Sequence, residues 1–448
     1  MKNKLFYSLT LTSLFISLLF VLLNVKFHAV YIIAFFISVT SILLVKRSII
    51  YFCAVFIFSF FPQDNKFNLL PAIDTNLNLV LLLIFVVLFL TKINFSKSYN
   101  KLWLSYIIVV VYGLIIGLIS HNEQKFIVDE LVKYLFYPIG FYFCISIFEN
   151  INIDSFLKVF FKFNLIMGLI IVIQIFTYYF LFSFGSRVFF RPSNLLLLSE
   201  LTALSLLFYK KNLSLLKKII LISLILLYTF GILIFMQRSL WIATIFSVSI
   251  FMIIYSFRSN FSKKKIIKVL TFFVLAFLII LFLFTNSVFY STVFSSRTSD
   301  VEEQGIQTFS IAARLVSYFE ILQKIRQHWL LGLGVGDTLK TTYLNMRVIN
   351  IVDNSFVVIL WKFGLVGLGI FALIYLTGLK QLLYLIKNSD NNILIFSIII
   401  FTNLVGQIIN SLACVILILY SFNFIWTSHL AFTNVIFLES KNKTIHAN

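Results

Sequence analysis

Long apolar runs recur along almost the whole chain, and they limit what it can fold into more than any other feature. Reading between charged or turn-rich breaks gives runs at 5–23, 29–45, 48–61, 77–91, 102–119, 131–148, 156–182, 194–209, 219–236, 239–257, 266–284, 354–378, 393–410 and 412–437. Crossing a bilayer as a helix takes about 20 apolar residues, with a range of about 17–25. The pattern predicts an all-α polytopic membrane protein with about 12–14 transmembrane helices, the short third and fourth runs setting the range. Composition agrees: 61% of the residues are hydrophobic and 12% charged, against roughly 45–50% and about 25% in soluble domains. The opening MKNK and the apolar run behind it resemble a signal peptide. No small-x-small cleavage site follows before Lys26, so the segment reads as an uncleaved first span.

The net charge is +20. In a soluble protein this would point to nucleic acid, but in a membrane protein the distribution of charge matters more than its sum. With the N-terminus inside, alternate loops carry about 22 of the 36 Lys and Arg residues and only about 4 acids. Cytoplasmic loops collect Lys and Arg, so both termini are expected in the cytoplasm and no nucleic-acid partner is expected. The segment 285–353 then lies outside. The expected organisation is a helical bundle over 1–284, an extracytoplasmic loop over 285–353, further spans over 354–438 and a cytoplasmic tail over 439–448. No internal repeat is visible, whereas transporters built from two related halves often show one. Cys53, Cys144 and Cys414 all lie inside apolar runs without paired spacing and read as small buried hydrophobes.

The long loop carries its own pattern. In 309–327, Ile311, Leu315, Tyr318, Leu322 and Ile325 fall on one helical face, which predicts a short amphipathic helix lying on the membrane or on the bundle. HWLLGLGVGD follows, with Gly332, Gly334 and Gly336. No Lys-Ser/Thr follows these glycines and no strand–helix unit surrounds them, so a turn packed against the bundle is preferred over a phosphate cradle. Arginines gather on the same side of the membrane: Arg187 and Arg191 in GSRVFFRPSN, Arg238 in MQRSLW, and Arg314. Singly, each could snorkel to headgroups. Together, several guanidinium groups near span ends suit a lipid-linked diphosphate, which they bind bidentately. Glu200 lies deep in its run. It is either a functional group or a structural partner for Lys133 or Lys362. His121, His328 and His429 show no ligand spacing and read as non-catalytic.

In order and sidedness these pieces resemble the O-antigen polymerase and ligase superfamily, bacterial enzymes acting on polysaccharides carried by undecaprenyl diphosphate. The resemblance covers the whole chain in topology. At motif level it rests on Arg187–Asn194, Gln237–Trp241, Arg314 with the GLGVG behind it, and Asp353–Phe356 with Gly364–Gly367 beyond. In this family the segment before the late span commonly reads His-Asn. Here its first position is Asp353, which leans the reading toward a polymerase rather than a ligase.

The resemblance implies a glycosyltransferase of the bacterial cytoplasmic membrane that uses no cofactor and no metal. It implies Asp353, Arg314 and Arg238 as catalytic residues, and Arg187, Arg191, Asn354, Gly334 and Gly336 as substrate-binding ones. Undecaprenyl-diphosphate-linked oligosaccharides and membrane lipids are the implied partners, with room for a chain-length regulator. A lipid-linked oligosaccharide flippase, of similar span number, is the competing expectation from another class.

Overall fold

The structure is a computed structural model, and it describes residues 98–148, 151–182, 193–210, 212–234, 237–259, 316–340, 348–349, 352, 354–412 and 420–447. The first four expected spans and the run at 266–284 lie outside the described residues. What is described is a helical bundle. Its long helices are α1 (Ser98–Ile119), α2 (Gln124–Phe148), α3 (Ile153–Phe182), α4 (Ser193–Tyr209), α5 (Leu215–Ile234) and α6 (Arg238–Ser259). After the loop, with its short helix α7 (316–324), come α8 (Ser355–Asn388), α9 (Asn391–Ser411) and α10 (Tyr420–Ala447). Two residue pairs, Leu339↔Ile349 and Lys340↔Val348, form a minimal antiparallel ribbon within the loop. Six of the helices are long and apolar enough to cross a membrane, and Leu195–Tyr209 is a shorter apolar helix. The chain is an all-α, multi-pass membrane protein.

Each expected run from 102 onward that falls on described residues is a helix, with ends shifted by a few residues. The larger shifts occur where polar residues extend a helix beyond its apolar stretch. α2 starts at Gln124 rather than 131, α8 continues to Asn388 and α10 to Ala447. Hydropathy sees the lipid-soluble part of a helix, whereas backbone hydrogen bonding continues into the interface.

Helix α9 is the centre of the bundle, packed against α3, α4, α6 and α8. Small residues let these helices approach. A side-chain carbon on Gly406 would run into Ser247 of α6 and come within 3.1 Å of Leu197 of α4, the close backbone packing that membrane helices use in place of hydrophobic drive. Around α2, α8 and α10 the core is aromatic. Tyr137 meets Phe371 edge-on at 5.2 Å, Tyr375 meets Trp426 at 5.3 Å, and Phe148 and Phe156 both meet Phe432.

Hydrogen bonds fix which helix ends lie together. At one end, Asn354 Nδ2 donates to Leu412 O (2.9 Å), Gln237 Nε2 to Asn410 Oδ1 (3.3 Å) and Asn122 Nδ2 to Val335 O (3.0 Å). This is the loop end. At the other, Arg258 donates to Ser389 O (2.6 Å) and pairs with Asp390 (3.4 Å). These anchors expose a mismatch: α8 and α9 start and finish beside one another, yet they have 34 and 21 residues. At 1.5 Å per residue their straight lengths would be about 51 Å and about 31 Å. The excess is absorbed at Gly364, whose φ of 64° and ψ of −165° break the helix. Residues 355–363 run across the end of the bundle, and 365–388, about 36 Å long, make the crossing.

Candidate functional site

The break at Gly364 and the glycine turn of the loop are one construction. Gly332 N donates to His328 O (2.7 Å), Leu333 N to Trp361 O (3.0 Å), Gly334 N to Lys362 O (3.0 Å) and Val335 N to Gly113 O of α1 (3.0 Å). Gly336 N donates to Glu130 Oε2 of α2 (2.8 Å). All five amides from 332 to 336 are therefore committed to protein acceptors. Gly334 has φ +81°, and a side-chain carbon there would lie 2.5 Å from Gly117 N and 2.8 Å from Gly113 O. Only glycine fits this left-handed position pressed against a helix backbone. The turn is packed on the bundle, as preferred from its sequence, and the N–H groups of Gly334 and Gly336 are taken by Lys362 O and Glu130.

A buried charge pair anchors this turn. Lys362 Nζ sits 2.8 Å from Glu130 Oε1, and both residues are almost wholly excluded from solvent. Lys362 also donates to Asp337 O. The Asp337 carboxylate in turn accepts from Trp361 Nε1 (2.7 Å) and from Lys324 Nζ (2.8 and 2.7 Å). Removing two charges from water is expensive, and such a pair survives where further hydrogen bonds satisfy the remaining lone pairs and protons. Here Gly336 N and Asp337 O do so. The network ties α2, the turn, α8 and the loop segment at Lys324 into one unit.

Two expectations change. Glu200 is not the partner of Lys133 or Lys362, because nearer acids hold both: Lys133 pairs with Asp129 one turn earlier on α2, and Lys362 with Glu130. Glu200 Oε1 instead accepts from Thr229 Oγ1 of α5 (2.8 Å), and its Oε2 has no hydrogen-bond partner among the described residues. The loop helix also turns differently from the expected face. Ile321 and Ile325 are buried and Tyr318 is partly buried, but Leu322 is 51% exposed. The 3.6-residue period allows either Ile321 or Leu322 as the neighbour of Tyr318 and Ile325, and packing on the bundle selects Ile321.

At the loop end of α9 two of the sequence-marked segments come together. Asn354 caps α8, its Oδ1 accepting from Phe356 N (3.0 Å) and Val357 N (3.1 Å) while its Nδ2 holds Leu412 O. Both polar atoms of this side chain therefore have structural partners. Gln237, immediately before α6, holds Asn410 at the last turn of α9. Gln237, which precedes α6, and Asn354, which caps α8, are thus held by the same three-residue tip, 410–412. Asp353, Arg314, Arg187 and Arg191 lie outside the described residues, as does the side chain of Arg238. Sequence reasoning missed Asn410, Asp337 and the Glu130–Lys362 pair. Asp337 directly follows the glycine turn and was the one legible hint. The pairing of Lys362 with Glu130 joins positions 232 residues apart, which no local pattern reveals.

Residues 222–372 match the family model described as O-antigen ligase. That segment runs from α5 through the loop to the middle of α8. It includes Arg238, Arg314, Gly334, Gly336, Asp353 and Asn354, and leaves out Arg187 and Arg191. No curated protein matches the chain. The match covers about a third of the chain and, with the helical bundle and the motifs in this order, supports the resemblance to the O-antigen polymerase and ligase superfamily.

Proposed function

We propose that the chain is a polysaccharide repeat-unit polymerase. It transfers a glycan chain from undecaprenyl diphosphate onto a lipid-linked acceptor repeat unit at the outer face of the cytoplasmic membrane. The observation that carries this reading is the convergence at the tip of α9. There the residue after Asp353 and the residue before Arg238 are hydrogen-bonded to Leu412 and Asn410. The sequence neighbours of an acid and an arginine, 115 positions apart, are thereby tied to one helix end, and this supports the reading.

The reaction is a substitution at the anomeric carbon. The acceptor sugar hydroxyl forms the new C–O bond, the bond to the diphosphate oxygen breaks, and the hydroxyl proton passes to a base. Asp353 is the base, a role worth about 10²–10⁴ in rate. Arg238, Arg314 and Arg191, with Arg187 beside them, stabilise the charge developing on the departing diphosphate. The donor is already activated, so the chemistry draws on neither nucleotide nor metal, in a compartment where sugar nucleotides are scarce. Lipid-linked oligosaccharides of this kind are what the superfamily resemblance implies as substrates.

The family description itself favours a second reading, ligation of a finished chain. The lipid-linked product profile of a deletion strain separates them. Single repeat units accumulating on lipid are the result expected here; long unattached chains would replace this reading by the ligase. Repeat units that never reach the outer leaflet would replace it by a flippase. Asp353→Ala, Arg191→Ala, Arg238→Ala and Arg314→Ala are each expected to insert normally and abolish long-chain product, and normal chain lengths in all four would sink the residue assignment.

A further inference from the structure

The loop helix and the turn behind it present two different surfaces. Ile321 and Ile325 are buried against the bundle, whereas Phe319, Leu322, Trp329, Leu330 and Leu331 are 41–63% exposed. Five large apolar side chains within thirteen residues form a ridge that the bundle leaves uncovered. The backbone of this ridge is joined to the membrane-crossing part of α8: Leu365 N donates to Trp329 O (3.0 Å) and Val366 N to Leu330 O (3.1 Å). Leu365 and Val366 are the first outward-facing residues after the break at Gly364, themselves 46% and 38% exposed. The length argument for α8 and α9 puts this break near the membrane boundary. The exposed ridge is therefore continuous with lipid-facing helix surface.

We propose that residues 319–331 are an interfacial foot, inserted into the loop-side leaflet with the bilayer as its partner. Trp329 sits where tryptophan is enriched, at headgroup level. Arg326, exposed on the same stretch, runs its stem along the apolar ridge and its guanidinium to lipid phosphates. Lys324 is held back on the protein side by Asp337. The helix thus has one apolar face for the bundle and a second for lipid, and it fixes the height of the loop over the membrane independently of what reaction the chain performs.

Spin-label accessibility in the full chain, reconstituted singly into lipid nanodiscs after replacing Cys53, Cys144 and Cys414, tests this. Nitroxides are placed by Leu322→Cys, Trp329→Cys and Leu331→Cys, with Gln323→Cys and Gln327→Cys as comparison. Insertion predicts a several-fold higher ratio of oxygen to nickel-chelate collision at 322, 329 and 331 than at 323 and 327. Equal chelate access at all five positions overturns the proposal and leaves the ridge as a docking surface for a partner protein. Exclusion of both probes at 322, 329 and 331 also overturns it, because another part of the chain then covers the ridge. Each substitution is single and on an exposed side chain, so the readout does not depend on tolerance of a large change.

Discussion

Lys362 and Glu130 meet where neither reaches water, so the value of each depends on the other. Truncating one leaves a buried charge uncompensated, which costs about 3–5 kcal/mol. Lys362→Met is expected to lower the unfolding midpoint of the purified protein in detergent accordingly. Adding Glu130→Gln should recover most of the loss, because the amide oxygen still accepts from Gly336 N while the orphan charge is gone; a double variant no better than the single would mean that the pair is not coupled. Asn354 is open to a finer test. Asn354→Ala removes the cap of α8, a loss of about 0.5–2 kcal/mol, together with the tie to Leu412. Asn354→Asp keeps the cap acceptor and removes only the donor to Leu412 O. If positioning on α9 matters for the chemistry, Asn354→Asp loses long-chain product while unfolding close to the parent temperature. Equal product from the aspartate variant and the parent would confine Asn354 to capping. Glu200→Gln, which retains an acceptor for Thr229, is expected to be tolerated within about 1 kcal/mol, measured by the same unfolding assay.

The element that organises the site is the interrupted helix α8. Gly364 has φ 64°, and a side-chain carbon there would collide with the backbone of Leu330 and Leu331. Gly364→Ala is therefore expected to straighten α8 or expel the turn. Limited proteolysis should then cut the 328–340 segment much faster than in the parent, and unchanged resistance would show that the break can absorb a methyl group. The sequence carried this helix as a single run, because Gly364, Gly367 and Gly369 are common enough in membrane spans to look like packing residues. Hydropathy reports burial in lipid and carries no angle. The bend became visible in the backbone of Gly364 and in contacts between distant segments, among them Asn354 with Leu412 and Trp329 with Leu365. The loop turn was more legible: three alternate glycines with no phosphate-binding context already read as close packing.

At the scale of the whole bundle, basic residues among the described helices collect at the end away from the loop. Lys158, Lys162, Lys210, Lys217, Lys218, Arg258 and Lys387 lie at helix ends or connections there. By positive-inside asymmetry that end is expected to be cytoplasmic. A reporter fused after residue 447 is expected to be active in the cytoplasm, and a protease site inserted within 341–347 to be cut from outside in intact spheroplasts; the reverse pattern would invert the orientation. The helical runs and their order among the described residues follow from local composition, which is why they could be read in advance. The arginines and Asp353 could be nominated by residue type and position, yet the helix end that holds their neighbours Gln237 and Asn354 belongs to α9, whose Asn410 has no distinguishing motif. The bend in α8 has a mechanical consequence. Its first nine residues act as an offset crank of about 13 Å, which holds the cap residue Asn354 beside Leu412 at the end of the neighbouring helix. Lengthening the 413–419 connection should leave the crank seated, whereas inserting one residue within the last turn of α9 would displace the anchors of Gln237 and Asn354 together without altering either residue.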